Sequence, residues 1–515
     1  MTERLPTEAT VAEIHDAIRD GSLTSVELVD QYLDRIAAYD RAGPELNAIV
    51  TVNPRARERA AELDADFGSS GFVGPLHGIP ILLKDQIQTA GLRTTFGSAA
   101  FADYVPDRDA TLVTALRDAG AIILAKTNMP DWAAGFVGYS SVQGQTKNPY
   151  GLDRDSGGSS AGTGAGIAAN LGAIGIGEDT GGSIRVPASC CNLFGLRVTT
   201  GLVSRSGLSP LVERMDTPGP MTRTVEDMAR VLDVIVGFDP EDERTATAEI
   251  APAAGSYRDA LDPDALDGAR IGVLRERFGD GDTAARDVNE CVENALNSMA
   301  SAGAQLVDIT VPDLDRHLTE TSLHAVAPKH DIDAFLAELD DPPVSSVEDL
   351  YQSGTYHEAL ELFETIAAAP ADPTTDSTYW ERVAGQARFR EALVASLAGE
   401  ELDAIAFPDV QVPPPVHEAL RAGDVRRADY PVNTTIASQS GCPAISVPAG
   451  FTDDGLPVGM ELLGRPYAES RLLGLAFAFE QVTDHRKPPA TTPALSETPT
   501  RESSESDANA GHNQT

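Results

Sequence analysis

Two serines that follow consecutive glycines, and one lysine that ends an apolar run, are the residues here best suited to covalent chemistry. Residues 155–185 read DSGGSSAGTGAGIAANLGAIGIGEDTGGSIR. Within them Gly157-Gly158-Ser159-Ser160 and Thr180-Gly181-Gly182-Ser183 flank an Ala/Gly/Ile/Leu segment long enough for a helix and a buried strand. Glycine tolerates positive φ and carries no Cβ, so such turns let backbone N–H groups approach a bound group closely. A serine hydroxyl beside those donors can attack a carbonyl while they hold the developing oxyanion. Upstream, Gly78-Ile79-Pro80-Ile81-Leu82-Leu83-Lys84-Asp85 closes a strand-like run on a lysine. An ordinary lysine, with pKa about 10.4, is protonated and cannot serve as a base. Burial disfavours the ammonium, and Ile81-Leu82-Leu83 supplies the surroundings for that.

Taken in order, GIPILLKD, GGSS and DTGGSIR resemble the amidase signature family. Further matches are Ala125–Met129, Gly195-Leu196-Arg197, Gly201–Ser204, Gly219–Asp227, Pro443–Pro448 and Leu456–Gly459. The resemblance is dense from Leu76 to Val236 and thinner beyond. It implies a catalytic triad of Lys84, Ser159 and Ser183, with the Gly158–Ser159 peptide cis. Neutral Lys84 would take a proton from Ser159, which takes one from Ser183. Ser183 then attacks an amide carbonyl, and the oxyanion rests on the N–H groups of Thr180, Gly181, Gly182 and Ser183. Ser160 is expected in a supporting hydrogen bond, and Asp179 with Arg185 as a pair bracing the turn. Both serine turns also fit plain helix N-caps. Gly162-Thr163-Gly164-Ala165-Gly166 lacks a Walker lysine or a complete dinucleotide fingerprint, so it reads as close packing of a buried helix. The chain departs from the family pattern at three places: Glu178 for a small or threonine-like residue, Asp85-Gln86 for Asp-Asn, and Ala161 for glycine.

These residues need rigid elements behind them. Capping boxes at Thr10/Glu13 and Thr24/Glu27 open two helices over 7–40, separated by Gly21. Strands are expected at 47–52, 79–84, 121–124, 173–176, 270–274, 305–311, 402–407, 444–447 and 458–463. Helices are expected at 55–64, 110–118, 159–171, 183–190, 224–236, 284–302 and 470–482, and over most of 312–400. Alternating strands and helices imply an α/β fold with helices on both faces of a sheet. The resemblance makes it one large domain with a mixed, twisted sheet. Residues 1–65 form an N-terminal helical segment and 66–240 the core with the catalytic motifs. Residues 241–487 complete the sheet and pocket, and 488–515 form a disordered tail poor in apolar residues. Pocket walls are expected from 130–145, 204–217 and 312–440, with Trp132, Phe136 and Tyr139 either lining it or packed in the core.

Composition limits the function. The 515 residues carry 39 basic and 79 acidic side chains, a net charge of −40, with only five lysines. No basic patch or stripe is visible, which argues against nucleic acid or an anionic membrane as partner. An acid-rich, lysine-poor surface points to a salty cytoplasm, where ions screen self-repulsion. Cys190, Cys191, Cys291 and Cys442 read as small core residues in a reducing compartment. The nine histidines show no metal-ligand spacing, and no metal or cofactor is expected. The expected substrate is a small-molecule amide, and a homodimer is left open. The resemblance implies an amidase. The rival readings are the glutaminase subunit of a glutamyl-tRNA(Gln) amidotransferase and a homologue that kept the fold without the chemistry.

Overall fold

Strands with every residue buried, next to one another and ending in polar side chains, decide where chemistry can gather in this molecule. The computed structural model describes residues 7–251, 255–280, 283–425 and 430–495. Eleven strands form one sheet: β1 (Ile49–Val52), β2 (Pro80–Lys84), β3 (Ile122–Thr127), β4 (Ile174–Glu178), β5 (Phe194–Arg197), β6 (Pro218–Thr222), β7 (Arg270–Val273), β8 (Gln305–Asp308), β9 (Ala404–Pro408), β10 (Ala444–Phe451) and β11 (Pro457–Leu463). Their spatial order is β1-β3-β2-β4-β6-β5-β10-β11-β9-β7-β8. The β3-β2-β4 and β9-β7-β8 neighbours are parallel and all other neighbours antiparallel, so the sheet is mixed. Helices flank it in one large α/β domain. All five residues of β2 and of β4 are buried, as parallel strands covered on both faces require.

Two central strands, β5 and β6, lie where the sequence pattern announces none. Pro218 and Pro220 remove ladder donors from β6, and a proline-bearing run does not read as an interior strand. It holds that place because β5 meets it only at Met221 and Thr222, beyond both prolines. The helix expected at 55–64 runs on past that end, over Ala56–Ser70. Both capping boxes form, and Gly21 ends the first helix with φ 79°.

The glycine-rich helix Ala161–Ala168 packs backbone to backbone, as its composition suggests. A Cβ on Gly162 would lie 2.2 Å from the Ala48 carbonyl oxygen, and one on Gly166 2.9 Å from Leu82 Cδ1. On the facing strand, a Cβ on Gly175 would meet Thr163 Cγ2 at 2.5 Å, and one on Gly177 would meet Ser160 Oγ at 2.8 Å. The alternation Ile174-Gly175-Ile176-Gly177 thus presents a smooth face to that helix and fixes the distance between Ser160 and β4.

Helices Leu314–Thr321, Pro328–Glu338, Val347–Ser353, Glu361–Ala368 and Tyr379–Gly399 fill the 312–400 region. Several of them build a second apolar cluster around Phe96 and Trp132. Expected disorder from residue 488 is corrected for 488–495. There Arg35, whose guanidinium also donates to the Ala169 and Asn170 carbonyls, donates to Thr492 O at 2.9 Å and Pro493 O at 3.0 Å. Those carbonyls satisfy a buried cation, which composition alone does not reveal. Residues 496–515 lie outside the described residues. Among the described residues no helix is long and apolar enough to cross a membrane. The four cysteines are buried and free.

The close helix–sheet approach sets an expected outcome. Gly162→Ala should destabilise the fold by about 1–3 kcal/mol, the usual cost of overpacking. Gly68→Ala, at an exposed position of its helix with open space around it, should be neutral or stabilising. Thermal unfolding of the two variants beside the parent chain checks both signs.

Candidate active site

Lys84 is the last residue of β2, so the sheet carries its side chain to the strand's C-terminal end with no exposure to water. Its Nζ donates to Ser159 Oγ at 2.8 Å, to the Glu178 carbonyl at 3.1 Å and to Glu178 Oε2 at 3.1 Å. Glu178 ends the neighbouring parallel strand β4, which is why the two side chains meet. Ser159 follows Gly158 through a cis peptide bond. Ser160 stitches the turn to β4, since its Oγ lies 3.3 Å from both the N–H and the carbonyl of Glu178. Its own N–H donates to the Ser183 carbonyl at 3.1 Å, holding the two serine turns side by side.

The second turn carries Ser183, 3 % exposed, immediately before helix Arg185–Cys190. Among the described residues the N–H groups of Thr180, Gly181, Gly182 and Ser183 have no partner, so four consecutive donors are free. Other bonds hold them open to a ligand: Ile184 N–H donates to Asp179 Oδ2 at 3.1 Å, and Thr434 Oγ1 donates to the Gly181 carbonyl at 2.8 Å. Gly182 has φ 138°, and a Cβ there would sit 1.9 Å from Thr434 Oγ1, so no other residue fits. No hydrogen bond joins the Ser159 and Ser183 hydroxyls.

Asp179 and Arg185 do pair, at 3.0 Å, but within a larger buried network. Arg197 Nη1 reaches Asp179 Oδ1 at 2.8 Å, Arg185 Nη1 reaches Glu461 at 2.7 Å, and Ser438 Oγ accepts from Arg185 at 2.9 Å. Burial opposes ionisation of Asp179, yet Arg185 and Arg197 outweigh it and hold the carboxyl below its ordinary value. Burial pushes the Lys84 ammonium down, with Glu178 opposing. Burial likewise pushes Glu178 up to about 7, with Lys84 opposing.

Of the three aromatics left open between pocket and core, Phe136 approaches the loop. A Cβ on Gly181 would lie 3.2 Å from its Cζ and 3.1 Å from His324 Nε2. Burial pushes His324 down to about 4, so its imidazole is neutral. Trp132 instead stacks on Phe96 in the second core, and Tyr139 is buried with its hydroxyl 3.2 Å from His417 Nδ1. The sequence reading misses Glu178, Arg197, Thr434, Ser438, Glu461 and His324 as site residues. Glu178 carries a sequence signal as a departure from the family pattern, and Arg197 as the end of the Gly195-Leu196-Arg197 match. The others come from segments remote in sequence, and only the tertiary fold brings them in. No group of three or more His, Cys, Asp or Glu that could hold a metal ion occurs among the described residues.

A family model described as Amidase matches residues 27–473. Among curated proteins, the chain is 35 % identical over 506 residues to a glutamyl-tRNA(Gln) amidotransferase subunit of Halorhodospira halophila, covering 93 % of this chain and 98 % of that protein. Among solved structures, native peptide amidase from Stenotrophomonas maltophilia superposes with TM-score 0.84 at 36 % identity, covering 94 % of this chain and 98 % of that one. The corresponding glutamyl-tRNA(Gln) amidotransferase subunit from Thermotoga maritima superposes with TM-score 0.73 at 26 % identity, covering 93 % and 96 %.

Removing Arg185 would leave Asp179 and Glu461 as buried charges lacking their main partner. Arg185→Leu should therefore cost about 3–5 kcal/mol, the usual effect of breaking a buried pair. Chemical denaturation should register this as a lower midpoint with an unchanged slope.

Proposed function

The chain belongs to the amidase family, and we propose that it hydrolyses a carboxylic amide to an acid and ammonia or an amine through a Ser183 acyl-enzyme. The observation that carries this reading is the 2.8 Å bond from buried Lys84 to Ser159, beside a serine turn with four free N–H donors. Neutral Lys84 accepts the Ser159 proton while Ser159 accepts that of Ser183. The Ser183 oxygen attacks the amide carbon, and the N–H groups of Thr180, Gly181, Gly182 and Ser183 take the oxyanion. One such donor is typically worth about 3 kcal/mol of barrier, so a pre-aligned set dominates the electrostatics. The proton returns through Ser159 to the leaving nitrogen, the C–N bond breaks, and water releases the acid by the same path. Asp179, held ionised by its two arginines, accepts the Ile184 N–H and so keeps the turn open towards the substrate.

A stand-alone amidase is favoured over a glutaminase subunit of a glutamyl-tRNA(Gln) amidotransferase. Curated relatives carry the latter name, but peptide amidase is the better structural match, with TM-score 0.84 against 0.73 and identity 36 % against 26 %. A salty, reducing cytoplasm as the working compartment is supported by the net charge of −40 and the four free, buried cysteines.

A serine-directed fluorophosphonate should label the protein, and Ser183→Ala should abolish both labelling and turnover. Lys84→Ala should lower kcat by about 10²–10⁴, the range for losing a general base. Labelling that persists in Ser183→Ala would sink the assignment. Glutamine-dependent ammonia release only after co-purification with partner proteins would favour the amidotransferase reading.

A further inference from the structure

Glu178 takes no part in that relay, yet it makes the nearest charged contact to the amine on which the relay turns. We propose that Glu178 is a positioning residue that receives the proton of the Lys84 ammonium, so that the neutral amine forms inside the site. The proposal rests on the reading of Lys84 as base. In the step, an Nζ–H bond of Lys84 breaks and an Oε2–H bond of Glu178 forms. The ammonium becomes an amine and the carboxylate an acid, so the pair is neutral before and after. No charge has to leave a site that water does not reach.

The geometry suits this exchange. Lys84 Nζ stands 3.1 Å from Oε2, while Thr180 Oγ1 donates to the other oxygen, Oε1, at 3.0 Å. The two oxygens are thus distinguished, and only Oε2 is available to the amine. The backbone carbonyl of Glu178 also accepts from Nζ, so residue 178 fixes the amine through two points. Neither side chain is exposed, and the desolvation penalty on both charges brings the ion pair towards its neutral form. The charged groups around the pair are mostly acidic. Asp216, from the segment before β6, raises the pKa of both partners, and Asp179 does the same on the strand end. Arg197 faces Glu178 from β5, and Asp331 acts on Asp216 from helix Pro328–Glu338. A negative surround resists loss of the last proton from the pair, which keeps one proton shared between amine and carboxyl. Burial raises the Glu178 carboxyl and lowers the Lys84 ammonium, both in the direction that such sharing requires.

The pH profile separates this role from a fixed counter-ion, because the two predict opposite shifts. If Glu178 takes the proton, the active free enzyme holds one proton across the pair. The acid limb of kcat/KM then reports loss of the first of two protons, which can depart from either partner. Glu178→Gln closes one of those exits, so the limb should move to higher pH, by about 0.3 unit where the two forms are equal in energy and by more where the ion pair is favoured. If Glu178 stays ionised throughout, the limb reports the ammonium itself. Deleting the negative charge would then ease its deprotonation, and the limb would move to lower pH.

Glu178→Asp, which keeps an acid on a shorter stem, should lose turnover while its limb stays below that of the glutamine variant, as a retained titrating pair requires. Glu178→Thr, the residue type the family pattern leads one to expect, repeats the charge deletion should the glutamine variant not fold. A limb that falls or stays fixed in the charge-deleted variants overturns the proposal. Lys84→Ala measured alongside keeps the two readings apart. Surviving turnover there refutes the lysine base itself, whereas a dead Lys84→Ala with a falling or fixed limb refutes only the role of Glu178.

Discussion

The amine of one lysine, sealed under a sheet, is the constraint that the rest of this site answers to. Removing an ammonium from water costs several kcal/mol. A carboxylate 3.1 Å away returns about 5 kcal/mol at an effective dielectric of 20. The two effects are of similar size, so neither protonation state is strongly favoured. Full exposure would leave Lys84 a permanent cation. Burial without Glu178 would leave nothing to hold its orientation except a hydroxyl and a carbonyl. The balance exists because β2 and β4 are adjacent, parallel and covered on both faces, and because both end on polar residues at the same level.

The remaining structure keeps that level fixed. Gly175 and Gly177 give helix Ala161–Ala168 a face without side chains, so Ser159 and Ser160 are pressed against the end of β4. The opposite side is held by Asp179, clamped by Arg185 and Arg197 and therefore ionised. Its acceptance of the Ile184 N–H turns the preceding four N–H groups away from the protein. Thr434 wedges against Gly182 from a segment some 250 residues away in sequence. Contacts from Arg185, Arg197 and the distant Thr434 thus converge on one short turn, and each uses a polar group that would be costly to bury unpaired.

What can be read in the sequence follows from what is local. The two glycine-serine turns, the lysine at a strand end, the capping boxes and most edges of the parallel strands are written in contiguous residues. Strand β6 is hidden by Pro218 and Pro220, whose tolerance depends on where its neighbour stops. The ordered course of 488–495 depends on Arg35, far away in the chain, needing carbonyl partners. Phe136, Trp132 and Tyr139 lie within eight residues, but only Phe136 approaches the turn, because Trp132 is claimed by Phe96 and Tyr139 packs beside His417. Aromatic type does not decide such a contest; the neighbours in space do.

Lys126 shows that burial alone does not bring a lysine to the serine turns. It lies on β3, also fully buried and pushed by burial to about 8, with Asp85 at 3.5 Å. Scarcity of lysine and apolar surroundings would recommend it as strongly as Lys84. The parallel register pairs Leu83 with Lys126, so Lys84, one residue on, points to the other face of the sheet. On its own face Lys126 donates to the Ile87 carbonyl at 2.6 Å and to Thr94 Oγ1 at 2.9 Å, groups that tie down a loop. Only the face of Lys84 holds a serine set beside a second serine turn with free N–H donors. One step along a strand therefore separates a lysine that ties down a loop from one set against the serine turns.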